Sequence, residues 1–338
     1  MIRPTRFWIP SLMLAAILAG CSSQDQPGGE PDSSRLAYLD LSIQKPEEAE
    51  ASAKATRATV STAQYFDSGD SIGISVVTKN PLKSTYHWLN KKYVASGTAT
   101  AQTWSTTGGN IGLQQDTALL SVYHPYSSSL DPTAVPVDCN TGIDYLYAAY
   151  SDWTGYGFLN YVHPLVKVTL SHSQAIIILK YINNGYIGGN NRLYGVKISG
   201  TSMGMKGTLN TTTGKVSSIT DSWNHDMTSS PKILPGYGST ESVAVDTCFV
   251  IPTGAQDGQL TFTLNIDGYE RSVTTTKVLL PGYIYEFPLK YKGPESPIES
   301  GDTEIEPWNS SNVSLYQMTD EDLYYRLYGH HSWENTNY

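Results

Sequence analysis

Cysteine is scarce in this chain of 338 residues, with only Cys21, Cys139 and Cys248. Apart from Cys21, which sits near the N-terminus, the pair Cys139 and Cys248 can form at most one disulfide in an oxidising compartment, or stand as two buried thiols. Basic charge is also short, with 22 Lys and Arg against 31 Asp and Glu. No cluster of cations exists, which excludes nucleic acid as a partner. Helical periodicity is missing from every window before residue 315. The one long apolar run, Phe7 to Ala19, is too short to span a bilayer. No pair of carboxylates repeats at a spacing suited to acid–base chemistry, and His87, His124, His163, His172 and His225 are scattered.

What is present begins with a targeting signal. Arg3 and Arg6 precede the apolar run, which ends Leu18-Ala19-Gly20-Cys21-Ser22-Ser23. Residues 1–20 have the order of a secretory signal peptide. Small residues before a cysteine at this place resemble a bacterial lipobox, which implies acylation of Cys21 and anchoring by lipid. Residues 21–35 are polar, with Pro and Gly, and read as a flexible tether.

Strand signals dominate the rest. Apolar residues alternate at Ile72, Ile74 and Val76, at Val243 to Ile251, at Leu260 to Ile266, and at Tyr283 to Leu289. Asp267-Gly268 suits a type I′ hairpin turn, and Thr211-Thr212-Thr213-Gly214 is a second turn signal. Many short strands with regular turns predict an all-β protein of sandwich or barrel domains, abundant in Tyr and acidic overall. A Gly-rich stretch, SDWTGYG, places a boundary near residue 158. One domain then covers 58–158 and a second 159–292, with 293–338 a linker and C-terminal tail. In the tail, Thr303–Gln317 is broken strand-like sequence with Ile305, Trp308, Val313 and Leu315 as anchors. Thr319-Asp320-Glu321-Asp322 resembles a helix N-terminus. Leu323 to Tyr328 then fits either a short helix or a strand.

Residues 36–57 stand apart from both domains. In LAYLDLSIQ, the residues Ala37, Leu39, Leu41 and Ile43 share one face, as in a strand with one side buried. The polar stretch KPEEAEASAKAT follows, and Arg57 ends it. An exposed leash of small and polar residues is where proteases cut, so the strand is expected to be removable.

This arrangement resembles the fimbrillin family of Bacteroidota, the type V pilins. The matching residues are Cys21, Leu39–Ile43, Thr56-Arg57-Ala58, Phe66–Ile74, Val122–Tyr126, Asp144–Ala148, His163–Val168, Phe249–Pro252, Leu280–Tyr285 and Ile305–Trp308, in family order over nearly the whole chain. The tail beyond Leu315, with its Tyr-rich stretch, departs from the pattern. The resemblance implies two transthyretin-like β-sandwich domains, and no enzymatic activity and no cofactor are expected of the chain. It implies a lipidated precursor at the outer membrane surface, an Arg-specific protease cutting after Arg57, and a groove opened by loss of the strand. Another fimbrial subunit would fill that groove, with Thr303–Gln317 as the candidate donor through Ile305, Val313 and Leu315.

Other sites weigh less. Gly200-Thr201-Ser202-Met203-Gly204 fits G-x-S-x-G, but no helix pattern follows it as a nucleophile elbow needs. His330 and His331 lack a third metal ligand nearby. Trp88, Trp104, Trp153 and Trp223 would have to form an exposed platform for the competing reading, a surface glycan-binding lipoprotein. Asp70-Ser71-Ile72 and Asp116-Thr117-Ala118 resemble the O-glycosylation motif of these bacteria.

Overall fold

Alternation along the sequence becomes sheet faces in the structure, a computed structural model. It describes residues 36–46, 65–98, 101–128, 131–219, 221–238 and 245–308. The hairpin of Gln259–Ile266 and Tyr269–Thr276 shows how local chemistry sets register. Leu260, Phe262 and Leu264 are buried, while Thr261 and Thr263 point outward and pair their hydroxyls with Thr274 and Ser272 at 2.9 and 2.7 Å. Asp267 and Gly268 have φ of 50° and 87°, and Ile266 pairs with Tyr269. A two-residue turn with both φ positive matches the type I′ expectation.

The hairpin belongs to a sheet that also holds Arg192–Gly200 and Trp223–Asp226. A second sheet runs in the order Met203–Gly204, Val245–Pro252, Ala175–Asn183, Tyr283–Tyr291 and Glu299–Ser300. Ala175–Asn183 lies parallel to Tyr283–Tyr291, with Ile176 opposite Ile284. Phe262 of one sheet meets Phe287 of the other with ring centroids 4.8 Å apart. The two sheets therefore share one apolar interior, as in a sandwich.

A third sheet has six strands: Ser171–His172, Leu146–Ser151, Ala118–His124, Ser71–Thr78, His87–Thr98 and Ala101–Ser105. Ile72, Ile74, Val76, Leu120 and Val122 fill a separate interior together with Leu39, Ile43, Val166 and Val168. The fold is thus all-β, as expected, with the short 3-10 turn Cys139–Thr141 as its helical element among the described residues.

The change of interior does not fall at residue 158. Leu159, Val166, Val168 and Leu170 pack with Ile72 and its neighbours, whereas Tyr123, Val135, Val137 and Cys139 pack with Phe262 and Phe287. The reason lies in pairing. Leu165–Thr169 joins the early strand, while Val135–Asp138 adds to Lys206–Asn210 and Lys215–Ile219. Sequence adjacency hides both links, and all described residues lie in one unit, residues 35–338.

Candidate functional site: a covering strand and its seat

The segment 36–44 forms two short strands. Ala37–Tyr38 pairs antiparallel with Gly112–Leu113, and Asp40–Gln44 pairs parallel with Leu165–Thr169. Between them the Leu39 amide donates to the Ile111 carbonyl at 2.9 Å and the Asp40 amide to the Pro164 carbonyl at 3.0 Å. The Leu170 amide closes the ladder on the Gln44 carbonyl at 2.9 Å. One stretch of chain thus zips along two others in succession.

Its expected face is the one that is buried. Leu39 and Ile43 are 6% and 2% exposed, Leu41 is half-buried, and Tyr38 on the opposite side is open to solvent. Ile111, Leu113, Val166, Val168 and Leu170 line the seat and are themselves buried. Lys45 follows the strand and lays its ammonium 5.2 Å from the centre of the Phe66 ring. Phe66 in turn sits edge-on to Trp104 and His124 at 5.4 and 5.0 Å. Burial pushes the His124 imidazole below its ordinary value, against the pull of Asp70, so the ring packs as a neutral group. Cys21, the tether and Arg57 lie outside the described residues.

At the other end of the chain, Glu304–Pro307 pairs antiparallel with residues of Tyr283–Tyr291, Ile305 facing Tyr285 in register. Ile305 is 47% exposed. Trp308 is buried, stacked on His172, and its amide donates to the Gly282 carbonyl at 2.8 Å. The first part of the expected donor, Glu304–Pro307, is therefore an edge strand of its own subunit, and Trp308 belongs to the interior. Val313, Leu315, the stretch 319–328, His330 and His331 lie outside the described residues.

The remaining residues of interest have local roles. Ser202 is buried and its hydroxyl donates to the Lys277 carbonyl at 2.6 Å; a strand, Met203–Gly204, follows it in place of a helix. Cys139 and Cys248 are free and buried, so of the two states left open the structure has the thiols. Burial pushes the Cys139 thiol up to about 12, and burial beside Cys139 raises Cys248 as well. Trp104 and Trp153 are half-buried against one interior and Trp223 against the other, and Trp88 carries Lys91 over its ring at 4.6 Å. No group of three His, Cys, Asp or Glu side chains stands close enough to hold a metal among the described residues.

Sequence reasoning missed one buried polar centre. Asp246, in a strand buried on both faces, accepts from Tyr181 at 2.6 Å and from Lys232 at 3.2 Å, and lies 2.9 Å from His225 Nδ1. Burial alone would raise its pKa; the His225, Lys232 and Tyr181 contacts outweigh that and hold it below the ordinary carboxylate value. The only signal was one acid within an apolar alternation.

The sequence pattern of the fimbrillin-like family matches residues 56–308, most of the chain. Among solved structures, a candidate cell adhesion protein from Bacteroides ovatus ATCC 8483 superposes with a TM-score of 0.54 at 18% identity, covering 81% of this chain and 99% of that one. A candidate cell adhesion protein from Bacteroides uniformis ATCC 8492 gives 0.52 at 18% identity, covering 80% and 99%. No curated protein matches significantly. At such identity the solved structures speak for the fold; the family match, spanning both interiors, carries the assignment. The chain belongs to the fimbrillin-like family.

Proposed function

We propose that the protein is a structural subunit of a cell-surface fimbria, held in its unassembled state by residues 36–44. The observation that carries this reading is the parallel seat of Asp40–Gln44 on Leu165–Thr169, next to the antiparallel seat on Gly112–Leu113. A strand that ends in an acidic, small-residue leash fills an interior otherwise built from residues 66–170. Fully burying the Leu39 and Ile43 side chains stabilises by about 3–6 kcal/mol together. Cutting the leash after Arg57 makes the strand a separate peptide and leaves Ile111, Leu113, Val166, Val168 and Leu170 beside an empty ladder. Unpaired amides and carbonyls over an apolar floor accept a strand from another chain, with main-chain bonds for affinity and side-chain pockets for register.

In this reading the precursor is anchored at the outer membrane by lipid on Cys21, and an Arg-specific protease releases the covering strand. The donor segment begins beyond Trp308, because Ile305 is exposed in its own sheet and Trp308 is anchored in the interior. Val313 and Leu315 are then the entering side chains. The fimbria built this way supports adhesion.

The test compares uncut protein, protein cut after Arg57, and cut protein lacking residues 309–338. Deleting from 309 keeps the Glu304–Pro307 strand and Trp308, so loss of assembly is not loss of fold. Only the second should form detergent-resistant ladders. Ladders from the uncut protein, or from the form without 309–338, contradict strand exchange.

A further inference from the structure

We propose that the edge strand Tyr269–Thr276 pairs antiparallel with the same strand of a second copy of this chain, about a twofold axis at Val273. The strand belongs to the interior of Phe262 and Phe287, not to the one that the covering strand fills, so the contact does not depend on cutting the leash. Tyr269–Thr276 ends its sheet and is bonded on one side to Gln259–Ile266. With 8 residues it is the longest strand at a sheet edge among the described residues.

The turn decides which main-chain groups face outward. A two-residue hairpin makes its flanking residues, Ile266 and Tyr269, a hydrogen-bonded pair, and bonded and non-bonded pairs alternate from there. Arg271, Val273 and Thr275 therefore exchange bonds with Leu264, Phe262 and Leu260. Glu270, Ser272, Thr274 and Thr276 fall in the non-bonded pairs, with amides and carbonyls pointing away from the sheet. The Glu270 carbonyl accepts from Arg271 Nη1 at 2.6 Å. The main-chain groups of Ser272, Thr274 and Thr276 meet no hydrogen-bond partner among the described residues.

Sheet edges are ordinarily guarded by proline, by charge or by a bulge. Ser272-Val273-Thr274-Thr275-Thr276 has none of these, and its register with Gln259–Ile266 runs without a shift. The edge strand Glu304–Pro307, by contrast, carries two glutamates and a proline. On the outer face of the sheet, Ser272 and Thr274 pair their hydroxyls with Thr263 and Thr261, which leaves that face neutral. On the inner face Val273 packs only partly against the interior, so apolar surface remains at the edge for a neighbour to cover.

The same residues fit a second copy in one register. Outward groups must meet outward groups, and an axis at Val273 sets Ser272 of each copy against Thr274 of the other, engaging all their main-chain groups. Val273 then faces its own equivalent in a non-bonded pair, where side chains approach most closely, and Arg271 faces Thr275. No like charges lie opposite one another. Moving the axis to Thr274 sets Arg271 opposite Lys277, which repels. Moving it to Ser272 sets Thr274 against Glu270, whose carbonyl is already occupied. The contact uses the same patch on both copies, so it closes at a dimer and makes the two sheets continuous.

Sedimentation velocity on the uncut full chain tests this, with Cys21→Ala as background so that lipid forms no micelles. That chain should show a reversible, concentration-dependent dimer. Thr274→Pro removes an outward amide without touching the ladder to Gln259–Ile266, and should weaken the dimer by about tenfold or more through the main-chain bonds lost on both copies. Thr274→Ala should leave it unchanged, and so should deletion of residues 309–338. Val273→Cys should cross-link to itself on mild oxidation and Thr275→Cys should not, because Thr275 faces Arg271. If Thr274→Pro lowers the melting temperature, the two cysteine variants decide. A chain monomeric up to about 1 mM, a dimer that survives Thr274→Pro, or equal cross-linking at Thr275→Cys overturns the proposal. Loss of the dimer without residues 309–338 also overturns it, and would place the tail on this edge.

Discussion

His172 and Trp308 stack with ring centroids 3.8 Å apart and planes 13° from parallel. His172 is held from the other side by Asp144, 3.0 Å from its Nδ1, and Trp308 also leans on Phe249 at 5.3 Å. The stack therefore ties the start of the C-terminal tail to both the Ser171–His172 strand and the sheet of Val245–Pro252. Trp308→Ala should cost about 3–5 kcal/mol, the usual range for truncating a buried tryptophan. A chain ending at residue 308 should keep its urea midpoint, and a chain ending at 302 should lose it by a similar amount. Equal midpoints for all three would show that the stack contributes nothing.

How much of this was legible follows from the physics of each signal. The face Ala37-Leu39-Leu41-Ile43 and the Asp267-Gly268 turn are local patterns with period two or a demanded φ, and both were read correctly. The partner of Asp40–Gln44 was not, because a parallel pairing with residues 165–169 has no local signature. For the same reason Leu165–Thr169 read as the opening of a later domain. Ile305 and Trp308 both looked like anchors; only three-dimensional pairing separates the exposed residue from the buried one. Asp246 was invisible because its partners, Tyr181, His225 and Lys232, come from distant positions.

Gly73 offers a sharp steric test. A Cβ there would lie 2.1 Å from Tyr123 Cε1 and 2.7 Å from Asn90 Oδ1. The Tyr123 hydroxyl is fixed by hydrogen bonds with Asn90 and Ser127 at 2.7 and 2.9 Å, so the ring cannot move aside without breaking them. Gly73→Ala should destabilise by about 1–3 kcal/mol or more through overpacking. A double variant with Tyr123→Phe should be less than additive. An unchanged midpoint for Gly73→Ala would contradict the close approach.

The Asp246 centre gives a pH dependence with a defined sign. Its folded pKa is depressed, so the ionised carboxylate favours the folded state. That stability is fully present above the unfolded value, about 3.9, and is lost as pH falls through the lower folded value. Asp246→Asn should cost about 1–3 kcal/mol at neutral pH by removing the buried carboxylate that Tyr181, Lys232 and His225 contact. It should also flatten the loss of stability on acidification below about pH 4. A parallel decline in wild type and variant would place the acid sensitivity elsewhere.

Cys139 and Cys248 predict inertness. Both thiols are buried and raised above their ordinary values, so almost no thiolate exists near neutrality. Iodoacetamide at mildly alkaline pH should label neither in the folded protein and both after denaturation under non-reducing conditions. Rapid labelling of the native chain would show that the interior opens, and failure to label the denatured chain would show a disulfide.

The release of the covering strand is tested most directly by locking it. Ser42 and Lys167 are register partners in the parallel pair, on the side opposite Ile43 and Val168. Cysteines at both positions, S42C/K167C, can cross-link the strand to its seat without entering the interior. Uncut, the oxidised variant should melt at or above the wild-type temperature. After cleavage following Arg57, the oxidised protein should remain monomeric, and adding reductant should restore detergent-resistant polymers to the wild-type level. Equal polymer yield with the cross-link intact, or none after reduction while cut wild type assembles, would contradict displacement of residues 36–44 as the step that permits assembly.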